Sequence, residues 1–401
     1  MKKRILAVLL ALSLLCVLFA GCSGNSQNNG GNNGSSASDT GDTDTSGSGE
    51  TLKIGLVCPL SGSSAISGTI LLNAVQMAVD EINEAGGING SIPIELIAED
   101  DEAVPATSVT VVQKLVEQDK VNVVIGSQPS SCTLANMEIT KAAKIPQITP
   151  ASSNVTITQS GNDYIYRMTS TDTTNAKTLL KYCQSLGYTK IAMCYESSDF
   201  GTGGYKIVEG LVADYGIEIV DAEVYNSGDT DFSVILGKMD AAQPDCFFMW
   251  GYHTECAAIM SQMQQYGYDY PMIGYGMNSP ELVNLGGDAV EGLCICTSFD
   301  AADPDPVVQE FDQKYQELYG TSYDQNGPQS YDAVYLIADA VERAIADGAD
   351  WQSGEVLNEY IASASYTGVT GTTSFDETGE MIKDLIIITI KDGEHEIIDW
   401  Q

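Results

Sequence analysis

Two tandem runs of alternating strand and helix patterns constrain this chain most. In the first run, 52–57, 92–98 and 121–126 are short apolar strand patterns, and Ile148 begins another. Between them apolar residues recur at helical spacing over 70–82 (Ala74, Met77, Ala78, Ile82), 106–118 (Val109, Val112, Leu115, Val116) and 134–144. In the second run, helical patterns at 175–186, 204–215, 232–241 and 255–266 alternate with strand patterns at 190–195, 218–225, 246–250 and 272–275. Residues three and four apart share one helix face, and a continuous apolar run such as 121–126 suits a strand covered on both sides. Strands alternating with helices of this length build parallel sheets with right-handed crossovers. Two such runs predict an α/β protein with two lobes. About 350 residues follow the first fifty, too many for one ordinary core and enough for two.

The first fifty residues are of another kind. Lys2, Lys3 and Arg4 precede an apolar run, 5–19, broken only by Ser13, and the run ends in Leu18-Phe19-Ala20-Gly21-Cys22. This order is that of a signal peptide with a small-residue cleavage site. The apolar stretch is too short and too abruptly ended for a good membrane-spanning helix. It resembles the lipobox of bacterial lipoproteins, which implies loss of residues 1–21 and a lipid on Cys22. Residues 23–50 are almost entirely Gly, Ser, Asn, Asp and Thr, with no aromatic side chain. Such a stretch cannot bury enough apolar surface to offset its ordering entropy, so 22–50 is expected to be a lipidated cysteine on a flexible tether. The expected location is the outer face of a cell membrane, held stably by two or more acyl chains.

The formal charge is −37, and loss of Lys2, Lys3 and Arg4 takes it near −40. That excludes nucleic acid and a basic patch for anionic lipid. Beyond Cys16 and Cys22, eight cysteines sit mostly inside apolar runs, as small buried hydrophobes do. No CxxC pair occurs, and His253 and His395 are the only histidines. Free thiols and no metal are expected, and no cofactor motif is present. No Gly-x-x-x-x-Gly-Lys-Ser/Thr loop occurs, so this chain hydrolyses no ATP.

In open α/β sheets ligands lie beyond the carboxyl ends of the strands. Two such loops are rich in hydroxyls. Gly126-Ser127-Gln128-Pro129-Ser130-Ser131-Cys132-Thr133 joins a buried strand to a helix, where backbone N–H groups and serines suit a carboxylate. The same hydroxyls could simply cap the helix. Thr149-Pro150-Ala151-Ser152-Ser153-Asn154 follows the next strand. Together they make a polar pocket with no nucleophile–base pair, which argues for binding rather than catalysis. Asp100-Asp101, after a strand, fits a turn or capping role.

Several segments recur in a familiar order: Val57-Cys58-Pro59-Leu60-Ser61-Gly62, Asp80-Glu81-Ile82-Asn83, Gly86-Gly87-Ile88-Asn89-Gly90, Asp100-Asp101, Ile145-Pro146, Asp199-Phe200-Gly201, Gly251-Tyr252 and Tyr331-Asp332-Ala333-Val334. The ordered set resembles the branched-chain amino-acid (Leu/Ile/Val) binding protein family, the extracytoplasmic substrate-binding subunits of ABC importers, over roughly 51–401. The resemblance implies a type I periplasmic-binding-protein fold, two doubly wound α/β lobes joined by a three-segment hinge. Lobe 1 would be 51–170 plus 300–382, and lobe 2 would be 171–299 plus 383–401. It further implies that Ser130, Ala151 and Ser153, with Ser131 beside them, hold a ligand's α-carboxylate and amino group. Ser67 stands where the family often has an aromatic residue, Phe200 where a tyrosine is frequent, and Tyr252 at a ligand-contacting tyrosine. Trp250 and Tyr275 add aromatic surface, although core packing accounts equally well for Trp250.

One departure stands out. The family's acid for the ligand ammonium is replaced by Tyr275 or Gly276, depending on a one-residue gap. An ammonium enclosed without a counter-charge is costly. Either Glu255, Asp199 or Asp300 compensates, or the ligand is a small carboxylate lacking an ammonium, such as an aromatic one. The leading expectation is an amino-acid-binding subunit, monomeric, that serves an ABC permease and its ATPase. A ligand sensor of the same fold is the alternative role.

Overall fold

The computed structural model describes residues 50–381, 383 and 385–400; the leader, Cys22 and the rest of the tether lie outside them. The first run forms β1 (Leu52–Cys58), α1 (Ala65–Glu84), β2 (Ile94–Asp100), α2 (Pro105–Lys114), β3 (Val123–Gly126), α3 (Ser130–Ala143), β4 (Gln147–Thr149) and β5 (Ile165–Arg167). Its sheet has the order β2-β1-β3-β4-β5, all parallel. The second run forms α4 (Asp172–Ser185), β6 (Lys190–Glu196), α5 (Asp199–Leu211), β7 (Glu218–Tyr225), α6 (Ser233–Ala241), β8 (Cys246–Trp250), α7 (His253–Tyr266), β9 (Met272–Tyr275), α8 (Pro280–Gly286) and β10 (Cys294–Thr297). These strands lie in the order β7-β6-β8-β9-β10, again parallel.

Both sheets thus repeat one topology, second-first-third-fourth-fifth. Each has its switch point between its first and third strands, where a crevice opens at the carboxyl edge.

The C-terminal part completes both layers. Helices α9 (Pro306–Tyr319), α10 (Asn326–Ala346) and α11 (Gly354–Ala362) and the hairpin β11 (Ser365–Gly368)–β12 (Gly371–Ser374) join the first sheet's side. Helix α10 buries Ala333, Val334, Leu336, Ile337 and Val341 in one core with Leu71 and Val75 of α1 and Ile54 and Leu56 of β1. Strands β13 (Ile386–Lys391) and β14 (Glu394–Ile398) extend the second sheet antiparallel from β10. The chain therefore passes between the sheets three times: from Arg167 to Asp172, from Thr297 to Pro306, and from Met381 to Ile386.

The eight cysteines of the described residues are free, and seven are buried. None of the described helices is long and apolar enough to cross a membrane.

Candidate ligand-binding site

Helix α3 starts at Ser130, earlier than its apolar spacing indicates, with Pro129 at the N-cap. No side chain caps it, so the capping role open to these hydroxyls is not the one adopted. The first N–H groups of a helix have no intrahelical partner and carry partial positive charge. The Ser130 hydroxyl accepts the Asn154 N–H (3.4 Å), which ties α3 to the loop after β4.

The two hydroxyl-rich loops are zipped together. Thr133 Oγ1 accepts the Ser127 N–H (3.1 Å) and lies 2.8 Å from Ser152 Oγ. Thr149 and Ser152 both donate to the Ser127 carbonyl, at 2.9 and 3.1 Å. Asp101 accepts from the Ser127 and Ser108 hydroxyls and from Ala103 N–H. Asp100 accepts from Leu60 N–H and Glu102 N–H, both at 2.8 Å. The carboxylate pair is a loop anchor, as its place after a strand indicates.

A small cavity of about 40 Å³ lies between the carboxyl edges of the two sheets. The first sheet's side contributes Ser67 at the start of α1, Gln128 and Ser130 at the start of α3, and Ala151 after β4. The second contributes Phe200 at the start of α5, Tyr252 and His253 after β8, and Tyr275 and Gly276 at the end of β9. The corresponding loops of the two repeats, after the first, third and fourth strands, face each other across the ligand space. Asn154 closes one side by donating from Nδ2 to the Asp199 carbonyl (2.6 Å).

Six of the nine candidate ligand residues line this cavity: Ser67, Ser130, Ala151, Phe200, Tyr252 and Tyr275. Ser131, Ser153 and Trp250 are not among its lining residues. Trp250 is fully buried behind the aromatic wall, 5.2 Å from Tyr275 and 6.4 Å from Phe200 by ring centroids. It packs so closely on α5 that a Cβ at Gly204 would come within 2.2 Å of its Nε1. Ser153 is buried beside Asp172, its hydroxyl near the carboxylate but not in hydrogen-bonding geometry.

Position 276 cannot hold the family's acid here. Gly276 has φ +90°, and a Cβ would stand 2.5 Å from the Gly251 carbonyl and 2.6 Å from the Phe200 ring. None of the three compensating acids lines the cavity, although Glu255 lines a small adjoining pocket that shares Ser67, Gln128, Tyr252 and His253 with it. Glu255 accepts Gly228 N–H (2.8 Å), Asp199 is exposed at the start of α5, and Asp300 pairs with His395 (2.9 Å) in a separate groove.

Two other acids flank the cavity. Asp324, just before α10, lines it directly. Asp172, at the first crossing, is fully buried behind Ser153, and its N–H donates to the Ser153 carbonyl (2.9 Å). Desolvation of the charged form raises both carboxyls to about 7. Arg167 lies near Asp172 and favours its ionised form; its own guanidinium donates to the Ser152 and Asn154 carbonyls, at 3.0 and 2.9 Å. Apolar spacing carries no sign of either acid, because each becomes part of the site only through the crossings. Burial also lowers His253, which favours its neutral imidazole. Among the described residues, no lysine or arginine lines the cavity, and no group of acids, cysteines and histidines could hold a metal ion.

Two lobes of one topology that close a polar cavity between their carboxyl edges define a solute-binding protein, one that captures a small ligand rather than transforming it. The sequence matches the periplasmic binding protein family over residues 51–394, and the chain belongs to that family. It is 30% identical to the leucine-, isoleucine-, valine-, threonine-, and alanine-binding protein of Pseudomonas aeruginosa over 342 residues, 83% of this chain and 87% of the relative. The structure superposes on the branched-chain amino acid transporter substrate binding protein of Streptococcus pneumoniae in complex with isoleucine, with TM-score 0.80 and 30% identity, over 87% of this chain and 99% of that one. A solute binding protein of an ABC transporter from Rhodopseudomonas palustris, in complex with 3,4-dihydroxy benzoic acid, gives TM-score 0.78 and 26% identity over 86% and 95%. The fold is that of the type I periplasmic binding proteins, and the chain is an extracytoplasmic substrate-binding subunit of an ABC transporter, not an enzyme.

Proposed function

We propose that this protein captures a free amino acid outside the cell and delivers it to an ABC permease driven by a separate ATPase. The observation that carries this reading is the cavity wall itself: Ser130 at the start of α3 and Ala151 after β4, facing Tyr252 and Phe200 of the other lobe. The α-carboxylate meets Ser130 and the free N–H groups of α3. The amino group lies toward Ala151 and Ser153, with the buried Asp172 behind them. Ligand touching both lobes stabilises the closed form, and the permease reads that form. The hinge is the set of three crossings, with lobe boundaries near 170, 299 and 382. A lipid on Cys22 and the tether 23–50 hold the monomer at the membrane surface. Relatives named for leucine, isoleucine and valine support the amino-acid class.

A second reading has its own support. The aromatic wall and the Gly276 backbone, which leaves no room for an acid, suit a des-amino carboxylate, and one structural relative holds 3,4-dihydroxy benzoic acid. A thermal-shift panel of aliphatic, polar and aromatic amino acids beside benzoate and 2-oxo acids separates the two. Ligand at about one hundred times its Kd stabilises by about 2.7 kcal/mol. Shifts with amino acids support the first reading, and shifts only with des-amino acids overturn it.

A further inference from the structure

Resting on the amino-acid reading above, we infer that the ligand's side chain donates hydrogen bonds to Asp324, so that the substrate is a small polar amino acid rather than a branched aliphatic one. The α-carboxylate site at Ser130 and the Ala151 loop belong to α3 and β4. Asp324 belongs to a different wall, where the start of α10 meets the start of α1 and the second crossing.

That wall is polar throughout: Ser67, Asn278, Asp324, Gln325 and Asn326 line it. Asp324 is 5% exposed, and its Oδ1 accepts the Asn326 N–H at 2.9 Å. Gln325 Oε1 accepts from Thr297 Oγ1 and from Ser298 N and Oγ, at 2.9–3.0 Å, which fixes that side chain through its oxygen. Asn278 donates from Nδ2 to Thr297 Oγ1 (3.3 Å). The hinge segment thus holds two amides in place beside a buried carboxyl. No leucine, isoleucine, valine or methionine lines the cavity among the described residues. Apart from Ala151 and Cys296, its apolar surface is aromatic and lies on the other lobe.

A branched aliphatic side chain against this wall would strip water from Asp324 and its neighbours without replacing the lost hydrogen bonds, a loss of about tenfold or more in affinity. A hydroxyl, amide or amine of similar size supplies them. The α-ammonium is not the partner of Asp324, because it is one carbon from the α-carboxylate and so lies by Ala151 and Ser153, where Asp172 stands behind the wall.

Isosteric pairs test this. Calorimetric titration of the full protein with threonine against valine, and asparagine against leucine, should show the polar member at least about tenfold tighter in each pair. Asp324→Asn, which keeps an acceptor for the Asn326 N–H, should narrow both gaps, chiefly by weakening threonine and asparagine. If that variant does not fold, the two pairs on the native protein decide alone. Valine and leucine equal to or tighter than their partners would overturn the inference and leave the amino-acid reading standing. Equal weakening of all four ligands by Asp324→Asn would make Asp324 the ammonium partner and also overturn it. Binding of benzoate with none of the four amino acids would overturn the amino-acid reading and this inference together.

Discussion

Asp172 sits in the first crossing with its side chain fully buried and neither carboxylate oxygen hydrogen bonded. Burial raises it to about 7, above the ordinary aspartate value of the unfolded chain. A raised acid favours the folded state below its unfolded pKa, and that contribution is lost as pH rises toward the folded one. Asp172→Asn should therefore gain stability relative to the parent between about pH 4 and 7, by up to a few kcal/mol. Denaturant melts at about pH 5 and about pH 8, either side of most of that change, measure the difference; the same gap at both would show that Asp172 does not titrate in this window. Gly276 makes the second case. Gly276→Asp restores an acid near the family's position, but at φ +90° and against the Gly251 carbonyl. It should cost about 1–3 kcal/mol of stability and gain no affinity for amino acids. Unchanged melting with tighter binding would contradict that account.

At the scale of the element, α3 carries the proposed anion site. Ser130→Ala removes one hydroxyl from the wall and keeps the helix N–H groups, so affinity should fall by about tenfold. Melting of the ligand-free protein should change little, because the hydrogen bond its hydroxyl accepts from the Asn154 N–H is long at 3.4 Å. Titration with the tightest ligand found, beside a melt without ligand, reads both. Unchanged affinity would remove Ser130 from the site. Apart from β5, α8 and β10, the strands and helices of both runs were legible in apolar spacing, and β7, β8 and β9 have the bounds read from sequence. The start of α3 was not, since Ser130 and Ser131 break the apolar pattern while still forming the first turn. Helices α9–α11 and the hairpin β11–β12 were not placed either.

For the whole molecule, the thiols report the fold. The eight cysteines of the described residues are free, and among them only Cys294 is partly exposed. Of these eight, a thiol reagent should label Cys294 at most in the native protein and all of them after unfolding without reductant. Fewer than eight in the unfolded chain would mean disulfides. Closure is global as well: the facing loops come from equivalent strands of two like sheets, so ligand should shrink the radius of gyration in scattering. An unchanged radius would mean that the protein is already closed without ligand.

By itself the sequence determined two α/β lobes and the two hydroxyl-rich loops, because period and turn chemistry are local, and the family resemblance added several residues of the cavity wall. The cavity's acids were decided by tertiary structure alone. Asp324 on the cavity wall and Asp172 behind it belong to segments without apolar period, and only the crossings between the sheets bring them there. Backbone geometry likewise decided Gly276, since a positive φ and a carbonyl 2.5 Å from a would-be Cβ leave no trace in a string of letters.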